Sequence, residues 1–294
     1  MTGIDRAGNQ AEVNRIRRVK YDFTYPIFSD LKPDANEWIN KLDLAYNLSE
    51  DLIFGRIVFN HVGGEPDPDG EYLVRLSGSR LKAGPGGGRL PRSMVRLVSG
   101  GIYTVTYTGR DSAGNFVSEF IIPNVRFDEI KPFVVITKPM ASETVFDSFK
   151  WPYANSEKVN YTLSEDLREA SLTIIHTGGK LDSRSPIEIQ LTKDEMKAGS
   201  YLETILINSV NLIDSSIYTY SLNGIDSARN VADEYTVPSI HYDITKPVID
   251  LIEPTENGAL NAALITYDYS ETMLQSDLTI THIGGTPDTL SPHN

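Results

Sequence analysis

The sequence predicts an all-β protein built from tandem β-sandwich domains, and three observations support this prediction. Landmark segments recur along the 294 residues, and apolar residues alternate with polar ones within most segments. Clusters of Gly, Pro, Asn, Asp and Ser separate these segments about every 10 residues. Alternation places every second side chain on the same face of a sheet, as in a strand with one buried face. The recurrence indicates that one structural unit is repeated.

The repeat is clearest in a short turn segment. GIDRAGN at 3–9 recurs as GRDSAGN at 109–115 and as GIDSARN at 224–230, so the copies lie 106 and 115 residues apart. A second landmark, an aromatic residue followed by aspartate, occurs at 21–22, 127–128 and 242–243. The phase of these landmarks predicts the end of one repeat at 1–20, complete repeats at 21–126 and 127–241, and the first half of another at 242–294. We therefore expect a fragment of a longer chain.

Further landmarks follow in the same order within each copy. A serine-glutamate segment (YNLSEDL, YTLSEDL, YDYSETML) precedes a histidine before two glycines (NHVGG, IHTGG, THIGG), and an aspartate follows, at Asp67, Asp182 and Asp288. The middle copy carries nine extra residues between Pro139 and Ser164. We expect this insertion to enlarge a loop around Trp151.

The number of strands in each repeat predicts the type of sandwich. About seven short strands in a repeat of about 100 residues are typical of an immunoglobulin-like β-sandwich. The segment IYTVTYTGRDSAGNFVSEFII is interpreted as the last hairpin, in which Gly114 supplies a positive φ. Arg229 takes that glycine position in the next copy, at a cost of about 1 kcal/mol. Prolines in the linkers favour stiff connections, so we expect the domains to be arranged end to end.

Composition excludes several functions. The formal charge of -13, from 40 acidic and 27 basic residues, opposes binding to nucleic acid and to anionic membranes. The absence of cysteine excludes disulfides, thiolate zinc sites and a cysteine nucleophile. No apolar stretch is long enough to span a bilayer, so no membrane insertion is expected. A basic run is interpreted as one solvated face of a strand, and its members are Arg15, Arg17, Arg18 and Lys20.

The DSAGN turn, the FDEIKP and YDITKP linkers, the SEDL segments and the HxGG turns together resemble the bacterial Ig-like repeats of very large surface and secreted proteins, including adhesins. The resemblance covers the whole chain. It implies an extracellular or cell-surface rod of many domains, which spaces or presents a binding head. It also implies neighbouring repeats as partners, and a glycan or protein ligand bound by another part of the parent. Arg229 and the Tyr25-Pro26 pair depart from the pattern, which leaves the turn geometry open.

Calcium is the cofactor that this resemblance and the aspartates suggest. Calcium prefers six to eight oxygen ligands, and the aspartates recur at the linkers and at a late turn of each unit. The candidate ligands are Asp22, Asp111, Asp128, Asp226 and Asp243. No segment matches the D-x-D-x-D-G calcium loop, so this prediction depends on position and on the resemblance. The alternative is that each aspartate only caps its own turn.

No catalytic residue is predicted. The histidines of the HxGG turns, His61, His176 and His282, recur in every copy, and we interpret them as strand-end residues. Glu50, Glu165 and Glu271 also recur, but each lacks the second carboxylate that a glycosidase needs, so we assign them a strand-edge role. The leading hypothesis is a structural and adhesive rod module without enzymatic activity. The alternative is a spacer or carbohydrate-binding module of an extracellular hydrolase.

Overall fold

The computed structural model describes residues 2–293 except 14, 140–151, 157, 204–209, 261, 263 and 274. Trp151, around which the insertion is predicted, lies outside the described residues. A short 3-10 turn spans Gly78–Leu81. The strands are β1 (Phe28–Lys32), β2 (Trp38–Ile39), β3 (Asp43–Leu48), β4 (Phe54–Gly64), β5 (Glu71–Arg75), β6 (Gly84–Arg89), β7 (Gly101–Arg110), β8 (Phe120–Phe127), β9 (Val134–Lys138), β10 (Tyr153–Ala154), β11 (Asn160–Leu163), β12 (Leu167–Gly179), β13 (Ile187–Gln190), β14 (Gly199–Tyr201), β15 (Ser216–Asp226), β16 (Tyr235–Tyr242), β17 (Ile249–Glu253) and β18 (Thr266–Tyr269).

The chain divides into two units. The first unit comprises Met1–Lys131 and Ile225–Val231, and the second comprises Pro132–Gly224 and Ala232–Asn294. Among the described residues, no helix combines the length and the apolar character that crossing a membrane requires.

The first unit contains a sandwich of two sheets. One sheet has the order β1-β3-β6, and the other has the order β2-β8-β7-β4-β5. Every second residue of β3, β5 and β7 is buried, as the alternating pattern predicts. Side chains from both sheets form one hydrophobic core, in which the rings of Phe28, Tyr46 and Tyr107 contact one another with centroids 5.3 to 6.2 Å apart. Burial of such rings is a dominant stabilising term.

The second unit repeats this architecture. Its sheets have the orders β14-β11-β9 and β10-β16-β15-β12-β13, and a separate pair is formed by β17 and β18. The core between the two larger sheets includes Ile136, Tyr161, Leu172 and Tyr218. The chain is therefore an all-β protein of tandem immunoglobulin-like β-sandwich domains, as the sequence predicts.

The DSAGN turn has the predicted backbone geometry. Gly114 has a φ of 99°, and Arg229, which takes the glycine position in the next copy, has a φ of 71°. The prediction that this position requires a positive φ is confirmed, and arginine is strained there because its Cβ crowds the backbone.

The aspartate that follows the HxGG turn accepts hydrogen bonds from buried tyrosines in both units, and it is partly buried at Asp67 and buried at Asp182. Asp67 accepts hydrogen bonds from the hydroxyls of Tyr72 and Tyr103, the latter at 2.7 Å. Asp182 accepts one from the hydroxyl of Tyr218 at 2.9 Å and two from the guanidinium of Arg184 at 2.8 and 2.9 Å. In the first unit these bonds connect the loop after β4 with β5 and β7. In the second unit they connect the loop after β12 with β15.

The lowered pKa of Asp182 predicts that acid destabilises the second unit. The hydrogen bond from Arg184 is the largest cause that lowers the pKa of the Asp182 carboxyl from 3.8 to about 2. A carboxyl whose pKa falls on folding stabilises the fold above its unfolded pKa, and this stabilisation disappears as the pH falls through the folded value. We expect the stability of β12 and β15, measured by amide hydrogen exchange, to fall between pH 3.8 and about 2. Asp182→Asn should flatten that dependence, and an unchanged slope would contradict the assignment.

Candidate metal centre

Asp111 organises the turn that follows β7. Its Oδ1 accepts hydrogen bonds from the backbone N–H groups of Ala113, Gly114 and Asn115 at 2.8 to 2.9 Å, and its Oδ2 accepts one from Asn115 Nδ2 at 2.8 Å. Burial raises the pKa of Asp111, but the hydrogen bonds from Asn115, Gly114 and Ala113 together outweigh it and leave the pKa below its ordinary value. The buried side chain is therefore a stabilised carboxylate.

Asp22 lies next to this turn, on the linker that precedes β1. Its Oδ1 accepts a hydrogen bond from Thr24 N at 3.0 Å, which closes a local turn. Its backbone carbonyl accepts a hydrogen bond from Asn115 Nδ2 at 3.2 Å. Asn115 thus holds the linker against the turn that carries Asp111.

Glu50 reaches the same place from the bend after β3. Ser49 fixes this bend, because its N–H donates to Ile27 O at 3.1 Å and its Oγ accepts from Ile27 N at 2.9 Å. The serine before Glu165 makes the same pair of bonds with Phe133, and Ser270 makes it with Val248. The recurring serine-glutamate segment therefore places each glutamate beside a linker.

The three carboxylates of the first unit form one cluster. One oxygen from each of Asp22, Glu50 and Asp111 lies within 4.8 Å of the other two. Partial burial, followed by the charges of Asp22 and Asp111, raises the pKa of Glu50. In the described part of the chain, no lysine or arginine forms an ion pair with any of the three, and the Glu50 carboxylate has no hydrogen-bond donor. A cation would relieve this repulsion.

The donor set suits a hard divalent cation. Calcium takes oxygen ligands at about 2.3 to 2.6 Å, and two carboxylates that bind the same ion can lie as close as these. Carboxylates are also the ligands with which proteins hold calcium most often, with water completing the shell. These three residues can therefore supply at least three of the ligands. Histidine and cysteine ligands, which softer metals prefer, are absent from the cluster.

The structure gives the other three predicted ligands different environments. Asp128 accepts hydrogen bonds from Ser99 Oγ at 2.7 Å and Ile130 N at 3.0 Å, and Asp226 accepts two from Asn230 at 2.7 Å. One oxygen of Asp128 and one of Asp226 lie within 4.8 Å of each other, both in the first unit. Asp243 closes a local turn, because its Oδ1 accepts a hydrogen bond from Thr245 N at 3.0 Å. Among the described residues, Asp243 belongs to no group of three acidic side chains.

Glu50 is the member of the cluster that sequence reasoning missed. It was interpreted as a strand-edge residue, whereas the structure places it beside two predicted ligands. Its recurrence with the linker and turn aspartates was the available signal.

The histidines of the HxGG turns have matching local contacts. His61 Nε2 lies 2.9 Å from Glu65 O, and His176 Nε2 lies 2.9 Å from Lys180 O. Each ring also packs edge-on against the buried tyrosine that binds the neighbouring aspartate, Tyr103 or Tyr218. Both histidines thus bind the backbone of the turn that they precede.

No family model matches the chain, and no curated protein matches it. Among solved structures, the FN1-FN3 domains of chicken CNTN1 are 14% identical, with 81% of this chain and 74% of that chain covered, at a TM-score of 0.34. The α-L-rhamnosidase of Streptomyces avermitilis, complexed with L-rhamnose, is 11% identical, with 73% of this chain but 24% of that chain covered, at a TM-score of 0.21. TM-scores this low do not establish a shared fold, so the fold is assigned from the sheets and cores described above.

Proposed function

We propose that this chain is a non-catalytic structural and adhesive rod module of a large extracellular bacterial surface or secreted protein, with calcium bound by Asp22, Glu50 and Asp111. Neighbouring repeats are its constant partners, and a glycan or protein ligand binds to another part of the parent. The observation that carries the proposal is the carboxylate cluster, which joins the linker, the serine-glutamate segment and the late turn of a repeated sandwich.

Several contacts support a module without turnover. The recurring polar residues are used in hydrogen bonds that hold turns and linkers, as with His61, Asp67 and Ser49. Structural contacts recur wherever a structural unit recurs. A catalytic centre instead needs groups that converge on a substrate. The cluster of Asp22, Glu50 and Asp111 joins segments that are distant in the sequence, so an ion there would stiffen the linker against the sandwich.

Thermal unfolding of the full chain with calcium and with chelator tests the proposal. A ligand that binds only the native state stabilises it by about 2.7 kcal/mol at one hundred times its dissociation constant. We expect calcium to raise the unfolding temperature of the first unit. Glu50→Gln should reduce that increase because it removes one anionic ligand, while Glu119→Gln, at an exposed position, should leave it unchanged.

The behaviour of Glu50→Gln in chelator provides a second readout. Folding raises the pKa of Glu50, so its ionised form destabilises the fold above that pKa. Without calcium at neutral pH, Glu50→Gln should therefore unfold at the same temperature as the wild type or higher. If calcium does not raise the unfolding temperature of the wild type, or raises that of Glu50→Gln equally, the proposed calcium site is wrong. Asp22 and Asp111 would then only cap their turns.

The alternative, a spacer or carbohydrate-binding module of an extracellular hydrolase, has less support. Sugars stack on exposed aromatic faces, and Trp38 is a partly exposed ring of β2. However, the guanidinium of Arg126 lies 5.5 Å from the ring centroid and covers one face. We therefore place this function second.

A further inference from the structure

The strand β5 (Glu71–Arg75) is an edge strand of the first unit. Its sheet has the order β2-β8-β7-β4-β5, so β4 is its one hydrogen-bonded neighbour in the described part of the chain. An edge strand leaves half of its backbone N–H and C=O groups without a ladder partner. Proteins usually protect such edges with charges, with proline or with a covering segment, because an open edge accepts another strand. β5 can therefore accept one further strand.

The backbone groups of Leu73 and Arg75 face the free edge. Leu76 N donates to Gly55 O at 2.9 Å, which makes these two residues a bonded pair of the ladder between β4 and β5. Bonded and non-bonded pairs alternate along an antiparallel ladder. Leu73 and Arg75 are one and three residues away from Leu76, so they belong to non-bonded pairs. Their N–H and C=O groups therefore point away from β4.

The side chains of Glu71, Leu73 and Arg75 lie together on the outer face of the sheet. Burial alternates along β5, with these three residues exposed and the two between them buried. The strand thus presents a carboxylate, an apolar side chain and a guanidinium at equal intervals of two residues. Reversal of the strand direction exchanges the two charges and leaves Leu73 in the middle. The edge is therefore complementary to a second copy of itself in antiparallel orientation.

Neither charge of β5 has an oppositely charged partner in its own sheet. Arg75 lies opposite Arg56 of β4, and Glu71 lies opposite Asn60. Among the described residues, none of Glu71, Arg75 and Arg56 forms an ion pair. Like charges directly opposite each other destabilise a sheet. A carboxylate brought to Arg75 across the free edge would offset this repulsion.

The second unit closes the corresponding edge. Its strand β13 (Ile187–Gln190) is the counterpart of β5 at the repeat spacing of 115. The three outer positions change from Glu71, Leu73 and Arg75 in the first unit to Pro186, Glu188 and Gln190 in the second. Pro186 has no N–H to donate, and an antiparallel second copy would bring Glu188 against itself. The repeated fold therefore does not require the pattern of β5, and the edge of the first unit alone suits self-pairing.

We propose that two copies of this chain pair through β5, in antiparallel orientation about a two-fold axis at Leu73. The backbones of the two Leu73 residues exchange N–H···O=C bonds, and Arg75 N donates to Glu71 O of the second copy. Glu71 N donates to Asp69 O within its own copy, at 2.7 Å. On the outer face, each Glu71 carboxylate lies opposite the Arg75 guanidinium of the other copy. The contact is strand addition by a self-complementary edge, so it closes at two copies.

The contact is small, so its strength should depend on charge and on protein concentration. A standard interface uses about 20 to 30 residues on each side, and one edge strand supplies far fewer. The charges also select the register. A shift by two residues would bring Leu73 opposite Glu71 or Arg75 and would leave the charges unpaired. We therefore expect a reversible dimer that charge reversal weakens.

Two charge reversals in the full chain test the pairing. Glu71→Arg places like charges opposite each other in a pair of identical copies, and Arg75→Glu does the same, whereas a mixed pair restores both attractions. Both positions are exposed, so neither change disturbs a folded core. Sedimentation velocity in chelator, which keeps the result independent of the proposed calcium site, should show the wild type rising to twice the mass of one chain with concentration. Each variant alone should need at least about tenfold more protein, and their equimolar mixture should associate like the wild type.

Gln190→Glu is the matched control, because it places the charge of Arg75→Glu at the counterpart position in β13, and it should associate like the wild type. Amide hydrogen exchange gives a second readout, since exchange in β5 should slow as the protein associates while exchange in β13 should not. A wild type that keeps the mass of one chain at every concentration would overturn the proposal. Growth beyond two chains, a mixture that associates no better than its components, or association with unchanged exchange in β5 would overturn it too.

Discussion

Gly64→Ala is expected to destabilise the first unit by about 3 kcal/mol or more. Gly64 is the second glycine of the first HxGG turn and has a φ of 75°. A Cβ at this position would lie 2.1 Å from Gly100 O, a backbone atom of the neighbouring turn. The backbone must therefore move, because no side chain can rotate away. Amide hydrogen exchange in β4 and β7, which pair beside this turn, reports the change.

Gly63→Ala is the matched control for that prediction. Gly63 precedes Gly64, and a Cβ there would find its nearest atom at 4.0 Å, on the side chain of Ile102. Its replacement should change stability by less than about 1 kcal/mol. Equal effects of the two substitutions would contradict the proposed clash. In the second unit, Gly179 with a φ of 71° should behave like Gly64, because its Cβ would lie 2.4 Å from Ser215 O.

Asp111→Ala should cost the first unit about 3 kcal/mol in chelator. The substitution leaves the amides of Ala113, Gly114 and Asn115 without the acceptor that they share, beside the core residue Val117. The carboxylate that accepts these bonds is itself buried, and a hydrogen bond to a charged group contributes about 1.5 to 3 kcal/mol. The same variant should lose the stabilisation by calcium, since it removes the most buried carboxylate of the cluster.

Asp5→Ala tests the reason for this effect. Asp5 makes the same local bonds, with Ala7 N, Asn9 N and Asn9 Nδ2 at 2.8 to 2.9 Å, but it is exposed. Water can replace the carboxylate there, so the two sandwiches should lose less than about 0.5 kcal/mol. Chemical denaturation of both variants under the same conditions makes the comparison. A loss as large as that of Asp111→Ala would show that burial of the carboxylate is not the cause.

The turns were predictable from the sequence because their bonds are local. Asp111 and the amides that it binds lie within four residues, so the motif itself contains both partners. The positive φ at Gly114 follows from residue type and position in the hairpin. The sandwich was predictable because alternation over each strand, repeated at fixed spacing, requires sheets that bury one face.

The long-range partners were not predictable. The tyrosines that bind Asp67 come from β5 and β7, and sequence marks them only as apolar strand residues.

The sequence by itself determined the repeat, the all-β fold and the local turn around each aspartate, because these depend on residues near one another in the chain. Only the tertiary structure decided that Glu50 belongs with Asp22 and Asp111. These three residues are separated by whole strands, and they meet because the bend after β3, the linker and the turn after β7 lie side by side in the folded sandwich. Such a meeting depends on the packing of two sheets, which no single segment encodes.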